Sequence, residues 1–409
     1  KTDMVRKFFH TLIARRHFWR YATFSEVAEL YVSRMLRMAA LYMAASFMSI
    51  YLYQNGYIIA QIGFFWAAFF LFKSFIALPT ARFVAWIGPK HAILVSNILY
   101  IPAMILFALL PQYGPWLLVG TAVLQGLSAA MYSIAYLIDF SKVKSTEHAG
   151  KEIAYMNIFE KITTGLSPLV GGFIAFLFGP QVVIIIAAIL FALAAAPLFK
   201  TGEQVKVGQK LQFKGFPWRL LLRHSAGQFS VGFDSVTSGT VWTLYVAVVI
   251  FGITASSNDV YASMGVLLSV VFIAAIVASY TYGKIIDKSK GGELMKAGAV
   301  ANALTHFVRP FVVSPVTVAG LNAANELATT AYNLPYTRGV FDNADLSGVR
   351  ITYLGVNEVI SNFGAAAAAF LLACATFIMS GEDALRNFFF IGGVVALLML
   401  TARFPLYKK

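Results

Sequence analysis

Apolar runs long enough to span a membrane recur a dozen times along this chain, and its basic residues are sorted against them. All but four of the 32 Lys and Arg residues fall on one side of a membrane drawn through those runs. Arg309 and Arg386 fall on the other side, and Lys73 and Lys161 lie inside apolar runs. A helix needs about twenty apolar residues to cross the hydrocarbon core, and positive charge stays on the cytoplasmic side during insertion. The sorting predicts an all-α polytopic membrane protein with both termini cytoplasmic, suited to a bacterial plasma (inner) membrane.

Composition excludes several classes. The chain is 59% hydrophobic and 12% charged, unlike a soluble globular profile. A net charge of +14 often signals nucleic acid. Here the bases sit in short loops between apolar helices, so topology and anionic lipid headgroups account for them and no nucleic-acid partner is expected. Cys374 is the single cysteine, so no intramolecular disulfide forms. Lys1–Arg20 is basic and amphipathic without a cleavable-signal pattern, and a chain starting at Lys1 is expected to be part of a longer reading frame.

The expected spans are 33–54, 58–82, 90–111, 115–139, 151–178, 181–199, 222–251, 258–282, 293–312, 315–336, 349–379 and 384–404. Thr23-Phe-Ser-Glu26 has capping-box spacing and is expected to start the first helix. Turn residues such as Gln54-Asn-Gly56 and Gly179-Pro180 punctuate the side opposite the bases. The polar interval Lys200–Phe216 divides the spans into six and six. Pro217-Trp218-Arg219-Leu220 after it echoes Phe18-Trp19-Arg20-Tyr21, and Leu244-Tyr245-Val246 echoes Ile50-Tyr51-Leu52, pointing to internal duplication. The resulting division is a basic segment 1–32, a bundle 33–199, a linker 200–221, a bundle 222–404 and a tail 405–409.

Leaving the eighth run, Gly283-Lys-Ile-Ile-Asp287-Lys288-Ser-Lys-Gly291-Gly292 combines glycines that let helix ends pack closely with charges that can bond helix termini. The segment resembles the Gly-x-x-x-Asp-Arg/Lys-x-Gly loop of the major facilitator superfamily, with its last glycine one residue late. The equivalent place after the second run reads Ala81-Arg-Phe-Val-Ala85-Trp86-Ile-Gly88-Pro-Lys90, where only Gly88 and a nearby base match and Ala85 occupies the acidic position. The resemblance implies twelve transmembrane helices in two six-helix bundles, a central cavity lined by spans 1, 4, 7 and 10, and alternating access about a midplane site. It also implies a gating loop of Gly283, Asp287, Lys288 and Gly291, with Gly88 its first-half remnant.

Ionisable groups at membrane depth are costly and usually face a cavity or a partner. Asp234 and Glu326 each lie about twelve residues into their spans, near mid-bilayer at roughly 1.5 Å per residue. Either is a proton or cation carrier, or a structural carboxylate capped by neighbours such as Ser235, Ser238 and Asn325. Asn322 and Asn325, on adjacent turns, favour Glu326. Lys73 and Glu358 lie in spans that face each other in the resembling family. They are read as a gating pair, a static pair, a substrate contact at Lys73, or a simple snorkelling lysine. Glu160 and Lys161 are adjacent, so on a helix they cannot share one groove. Arg34 and Arg37, with Glu26 and Glu29, read as an interfacial cluster, with an anion site at the cytoplasmic entrance the alternative. His306 and Arg309, near the end of a peripheral span, read as structural residues, with a protonation role for His306 the alternative. Tyr42, Ser46, Gln125, Ser128 and Tyr132 are expected toward the first-half cavity.

No phosphate-binding loop, metal-ligand spacing or nucleophile motif is present, so no cofactor, metal or enzymatic activity is expected. The leading reading is a monomeric secondary active transporter of a small solute, coupled to protons and in contact with membrane lipid. Export or flipping of a lipid-like compound is the runner-up, and a non-transporting receptor or scaffold on the same fold the third.

Overall fold

The computed structural model describes residues 24–143, 149–199, 211–253, 258–286 and 290–407, with the backbone alone for 24–31, 137, 139–143 and 149–159. Lys1–Thr23, most of the basic linker, and Asp287 and Lys288 of the gating loop lie outside the described residues, as do the side chains of Glu26 and Glu29. Among the described residues the chain forms twelve long helices and no strand. These are α1 (Val32–Gln54), α2 (Ile59–Ile87), α3 (Pro89–Ala108), α4 (Leu117–Val143), α5 (Ala149–Phe178) and α6 (Pro180–Leu198) in the first half. The second half holds α7 (Ser225–Ile250), α8 (Asp259–Ile285), α9 (Gly291–Val308), α10 (Pro315–Leu346), α11 (Arg350–Ala375) and α12 (Gly381–Thr401). Ten of them are long and apolar enough to cross a membrane. α9 and α10 are helices of spanning length whose extra polar residues, including Glu293, Lys296 and Glu326, lower their hydropathy.

Local sequence sets the breaks. Gly88 takes φ 93° and Gly179 φ 89°, conformations that a side chain resists, and each is followed by a proline that opens the next helix. The loop expected between the second and third spans is therefore a single-residue turn, and α2 continues to Ile87. Ser314 starts α10 by accepting a hydrogen bond from the Thr317 amide at 3.3 Å. α10 then runs through Pro335 to Leu346, ten residues past its expected end. α7 contains two π-helical segments, Thr237–Val241 and Val246–Ile250. Such segments insert a residue into the helical ladder and often mark functional sites.

The two halves repeat the same packing. In the first, α1 packs on α5 and α6, α2 on α4, and α3 on α4 and α6; in the second, α7 packs on α11 and α12, α8 on α10, and α9 on α10 and α12. The halves meet along two seams, α2 against α11 and α5 against α8, which the same repeat relates to each other. Small residues make the seams close. A Cβ at Gly63 would lie 2.9 Å from Ala373 Cβ, and one at Gly265 would lie 2.5 Å from Pro168 O. Without a hydrophobic drive between helices in lipid, such close backbone approach supplies the van der Waals contact that holds the halves together.

Two apolar clusters bracket the molecule. One, with Tyr51, Phe107, Trp242, Tyr245 and Tyr261, fills the end opposite the basic loops. The other, with Ile93, Ile134, Tyr353 and Phe404, fills the end that carries them. Between the clusters, in sequence and in space, lies a belt holding Lys73, Glu160, Lys161, Glu326 and Glu358.

Candidate functional site

The most enclosed part of the belt is in the second half. Asp234 on α7 is 6% exposed and His306 on α9 is fully buried, with His306 Nε2 2.6 Å from Asp234 Oδ1. Tyr332 on α10 donates its hydroxyl to Asp234 Oδ2 at 2.5 Å, and Ser238 donates to Oδ1 at 3.0 Å. Arg309 donates from Nη1 to His306 Nδ1 at 2.9 Å and to Ser238 Oγ at 3.2 Å. A guanidinium only donates, so His306 Nδ1 must accept. The imidazole is then neutral and carries its proton on Nε2, pointing at the carboxylate. Asp234 thus accepts three hydrogen bonds, and Arg309 balances its charge through the ring.

The array extends to α10. The Arg309 guanidinium stands 4.8 Å from the Trp242 ring centroid, and Trp242 Nε1 donates to Asn322 Oδ1 at 2.6 Å. Asn322 in turn donates to Leu267 O on α8 at 3.2 Å. His306 and Arg309, read from sequence as structural, are central here. The sequence signal was their spacing: three residues apart on a helix, they share a face. Asn322 and Asn325 do not converge on Glu326, because Asn325 accepts from Thr305 at 3.1 Å. Ser238 caps Asp234, but Ser235 donates to Gly232 O in its own helix.

At the junction of the halves, two ion pairs are closed. Arg34 on α1 meets Glu160 on α5 at 2.5 Å and lies 3.3 Å from the Tyr136 ring centroid. Lys161, next in sequence, reaches across to Glu326 on α10 at 2.6 Å, and Thr330 donates to the same Glu326 oxygen at 3.0 Å. Adjacent residues separated by one helical step thus serve an intra-bundle and an inter-bundle pair. Lys73 and Glu358 are not a closed pair: among the described residues no carboxylate oxygen lies within 4.0 Å of Lys73 Nζ. Lys73 Nζ sits 5.4 Å and 5.7 Å from the ring centroids of Phe70 and Phe69, and Glu358 Oε2 accepts from Asn362 at 3.4 Å.

A sequence profile of the Major Facilitator Superfamily matches residues 30–369. The chain belongs to the Major Facilitator Superfamily. Its fold is similar to that of the human organic anion transporter MFSD10 (TETRAN), with TM-score 0.65, 13% identity, and 92% of this chain and 99% of that chain covered. It is likewise similar to the Escherichia coli fucose:proton symporter FucP, with TM-score 0.62, 12% identity, and 91% and 97% covered. No curated protein sequence matches the chain.

Within the superfamily frame, several residues expected toward the first-half cavity turn inward. Arg37, 2% exposed, is buried inside the first bundle rather than at an interface. It donates to Asn97 Oδ1 at 2.6 Å and to Ser96 and Ser128, both at 3.3 Å, and lies 3.9 Å from the Tyr132 ring centroid. Gln125 donates to Tyr100 at 2.5 Å in the same bundle. Helical phase misled the sequence reading, because mostly apolar spans carry little contrast between faces. Of the superfamily loop, Gly283 is buried in the last turn of α8, and a Cβ at Gly291 would lie 2.7 Å from the Tyr407 ring. Ala85, at the acidic position of the first-half counterpart, is buried.

The end opposite the basic loops is shut across the halves. Tyr261 on α8 donates to Gln54 on α1 at 2.5 Å and packs edge-on to Phe47 at 5.5 Å. Among the described residues no three His, Cys, Asp or Glu side chains gather as a metal site.

Proposed function

We propose that this chain is a secondary active transporter that moves a small solute by alternating access, with the proton as coupling ion, in a bacterial plasma membrane with both termini cytoplasmic. The observation that carries this reading is the Asp234–His306–Arg309 array. With His306 neutral, the carboxylate and guanidinium cancel. A proton bound at His306 Nδ1 takes the place of the Arg309 hydrogen bond and leaves a net positive charge in a low-dielectric setting. Arg309 must then move, and its neighbour Trp242 is bonded to α10, the helix whose Glu326 holds Lys161 of the other half. Proton binding thus acts on a contact between the bundles, which is what coupling requires.

The retained bases at one end support the orientation. FucP is a fucose:proton symporter and MFSD10 an organic anion transporter, so sugars and organic anions belong in a first solute panel beside amino acids. The test uses proteoliposomes with an imposed pH gradient and a trapped pH-sensitive dye. Solute-dependent proton flux and solute accumulation are expected in the unaltered chain. Asp234→Asn is expected to lose gradient-driven accumulation while keeping solute exchange at equal pH. Undiminished accumulation by a folded Asp234→Asn protein would remove this carboxylate as the coupling group.

A further inference from the structure

Where α7 begins and α12 ends, Arg219, Arg223 and Arg403 stand exposed. Among the described residues no carboxylate oxygen lies within 4.0 Å of any of the three. Between Phe213 and Gly252 the chain has one acidic residue, Asp234, and that carboxylate is held inside the His306 array. After Asp383 it has none.

The backbone that carries these arginines is pinned to the second bundle. Phe216 and Leu221 are buried and hold a short helix, Trp218–Leu222, against the start of α11, where the Phe216 ring lies 6.2 Å from that of Tyr353. Arg219 and Arg223 are four residues apart across that helix and its helical cap, so they project from one side. In the strap that follows α12, Ala402 and Phe404 are buried and Arg403 between them points outward. The Arg403 amide donates to Arg223 O at 3.0 Å, which brings the third base beside the other two. Little backbone ordering is then left for a ligand to impose. Apolar side chains flank the bases. Trp218 is 51% and Leu222 65% exposed on the same short helix, and Leu397 is exposed near the end of α12. Exposed tryptophan and leucine interleaved with bases at the ends of spanning helices fit the boundary between acyl chains and headgroups.

We infer that this patch binds an anionic phospholipid of the leaflet that the basic loops face. The guanidinium groups of Arg219, Arg223 and Arg403 bond its phosphate, and its acyl chains lie along Trp218, Leu222 and the exposed end of α12. Guanidinium forks match the geometry of phosphate oxygens. Three cations without a counter-charge favour a headgroup of net negative charge, whereas a zwitterionic headgroup brings an ammonium that the same cations repel. A free phosphate would meet the arginines but leave the apolar margin uncovered. The bound lipid would tether the start of α7 and the end of α12 to the leaflet, and through Phe216 the start of α11 as well. The inference is independent of the solute and of the coupling ion.

The test measures binding to the purified full chain in a neutral detergent. Phosphatidylglycerol and phosphatidylcholine of equal chain length are titrated into the micelles, with inorganic phosphate as a third arm and melting temperature as the readout. Phosphatidylglycerol is expected to raise the melting temperature saturably, and less so as salt is raised. The other two are expected to leave it unchanged at the same concentrations. Arg219→Gln, Arg223→Gln and Arg403→Gln together are expected to weaken binding at least about tenfold, since each base near an anionic surface contributes on the order of fivefold. Arg219→Lys, Arg223→Lys and Arg403→Lys together, which keep the charge, should retain most of the binding and cover the case in which the neutral variant fails to fold. Two exposed bases elsewhere at the same end serve as the control, and Arg82→Gln with Lys296→Gln should leave the affinity unchanged. Equal stabilisation by phosphatidylcholine or by inorganic phosphate, or unchanged affinity in the folded neutral variant, would overturn the inference. So would an equal loss in the control variant, which would mean diffuse attraction to the whole basic end in place of a site.

Discussion

Arg309 is the residue on which the Asp234 array turns, because its obligatory donation to Nδ1 decides which imidazole nitrogen carries the proton. Without Arg309, His306 and Asp234 would still be bonded but their charge would be uncompensated. Without Asp234, a guanidinium 1% exposed would lose its counter-charge. Breaking one side of a buried pair typically costs about 3–5 kcal/mol, whereas removing both sides costs far less than the sum. Asp234→Asn and Arg309→Gln are each expected to lower stability in detergent unfolding by about 3 kcal/mol. The double variant should recover about 1–3 kcal/mol of the summed loss. Strict additivity would show that the residues are not coupled through His306. At this scale the sequence was partly legible. Asp234 and Glu326 stood out as carboxylates in apolar runs. Ser238, one turn from Asp234, could be named from spacing; Tyr332 and Lys161 could not, because they come from other helices and resemble any other polar residue in a span until the helices are packed.

Among the helices, glycine spacing separates seams from open faces. Gly265 sits against Pro168 O in the α5–α8 seam, while Gly239 faces open space on α7. Gly265→Ala must push two backbones apart and is expected to destabilise by about 1–3 kcal/mol. Gly239→Ala adds a methyl group where there is room and should be neutral or stabilising by up to about 1 kcal/mol. Paired melting curves check both, and equal effects would mean that the seam is not the tight contact described. The number and order of the spans were readable because twenty-residue apolar runs and Gly-Pro breaks are local signals. The inward turn of Gln125, Ser128 and Tyr132 was not, because it depends on which face α4 presents to α3. The length of α10 was missed because its last ten residues, Thr337–Leu346, are too polar to read as part of a span, yet the helix runs on through Pro335 to Leu346.

For the molecule as a whole, Lys161–Glu326 is the described ion pair that joins the bundles. Any rocking of one bundle against the other must lengthen or remake it. Lys161→Glu and Glu326→Lys, each alone, place like charges about 3 Å apart and should sharply lower transport and stability. The combined swap should restore most of both, measured as exchange flux and melting temperature. If the swap restores nothing, the pair's role lies in the identity of each partner, such as the Thr330–Glu326 bond.

The enclosed Arg37 has a consequence for how the chain is made. It lies in the first membrane helix, and its hydrogen-bond partners Asn97 and Ser128 are on α3 and α4, with Glu160, the partner of neighbouring Arg34, on α5. An arginine at a helix centre opposes membrane insertion by about 2.5–3.5 kcal/mol, and less nearer an end. During synthesis α1 therefore emerges before anything that can shelter its two arginines. Nascent chains ending after α2 should show α1 poorly inserted, and chains ending after α5 should show it secured, as scored by glycosylation mapping. Arg34→Leu combined with Arg37→Leu should erase that dependence on chain length, making the order of synthesis part of how this transporter reaches its native arrangement.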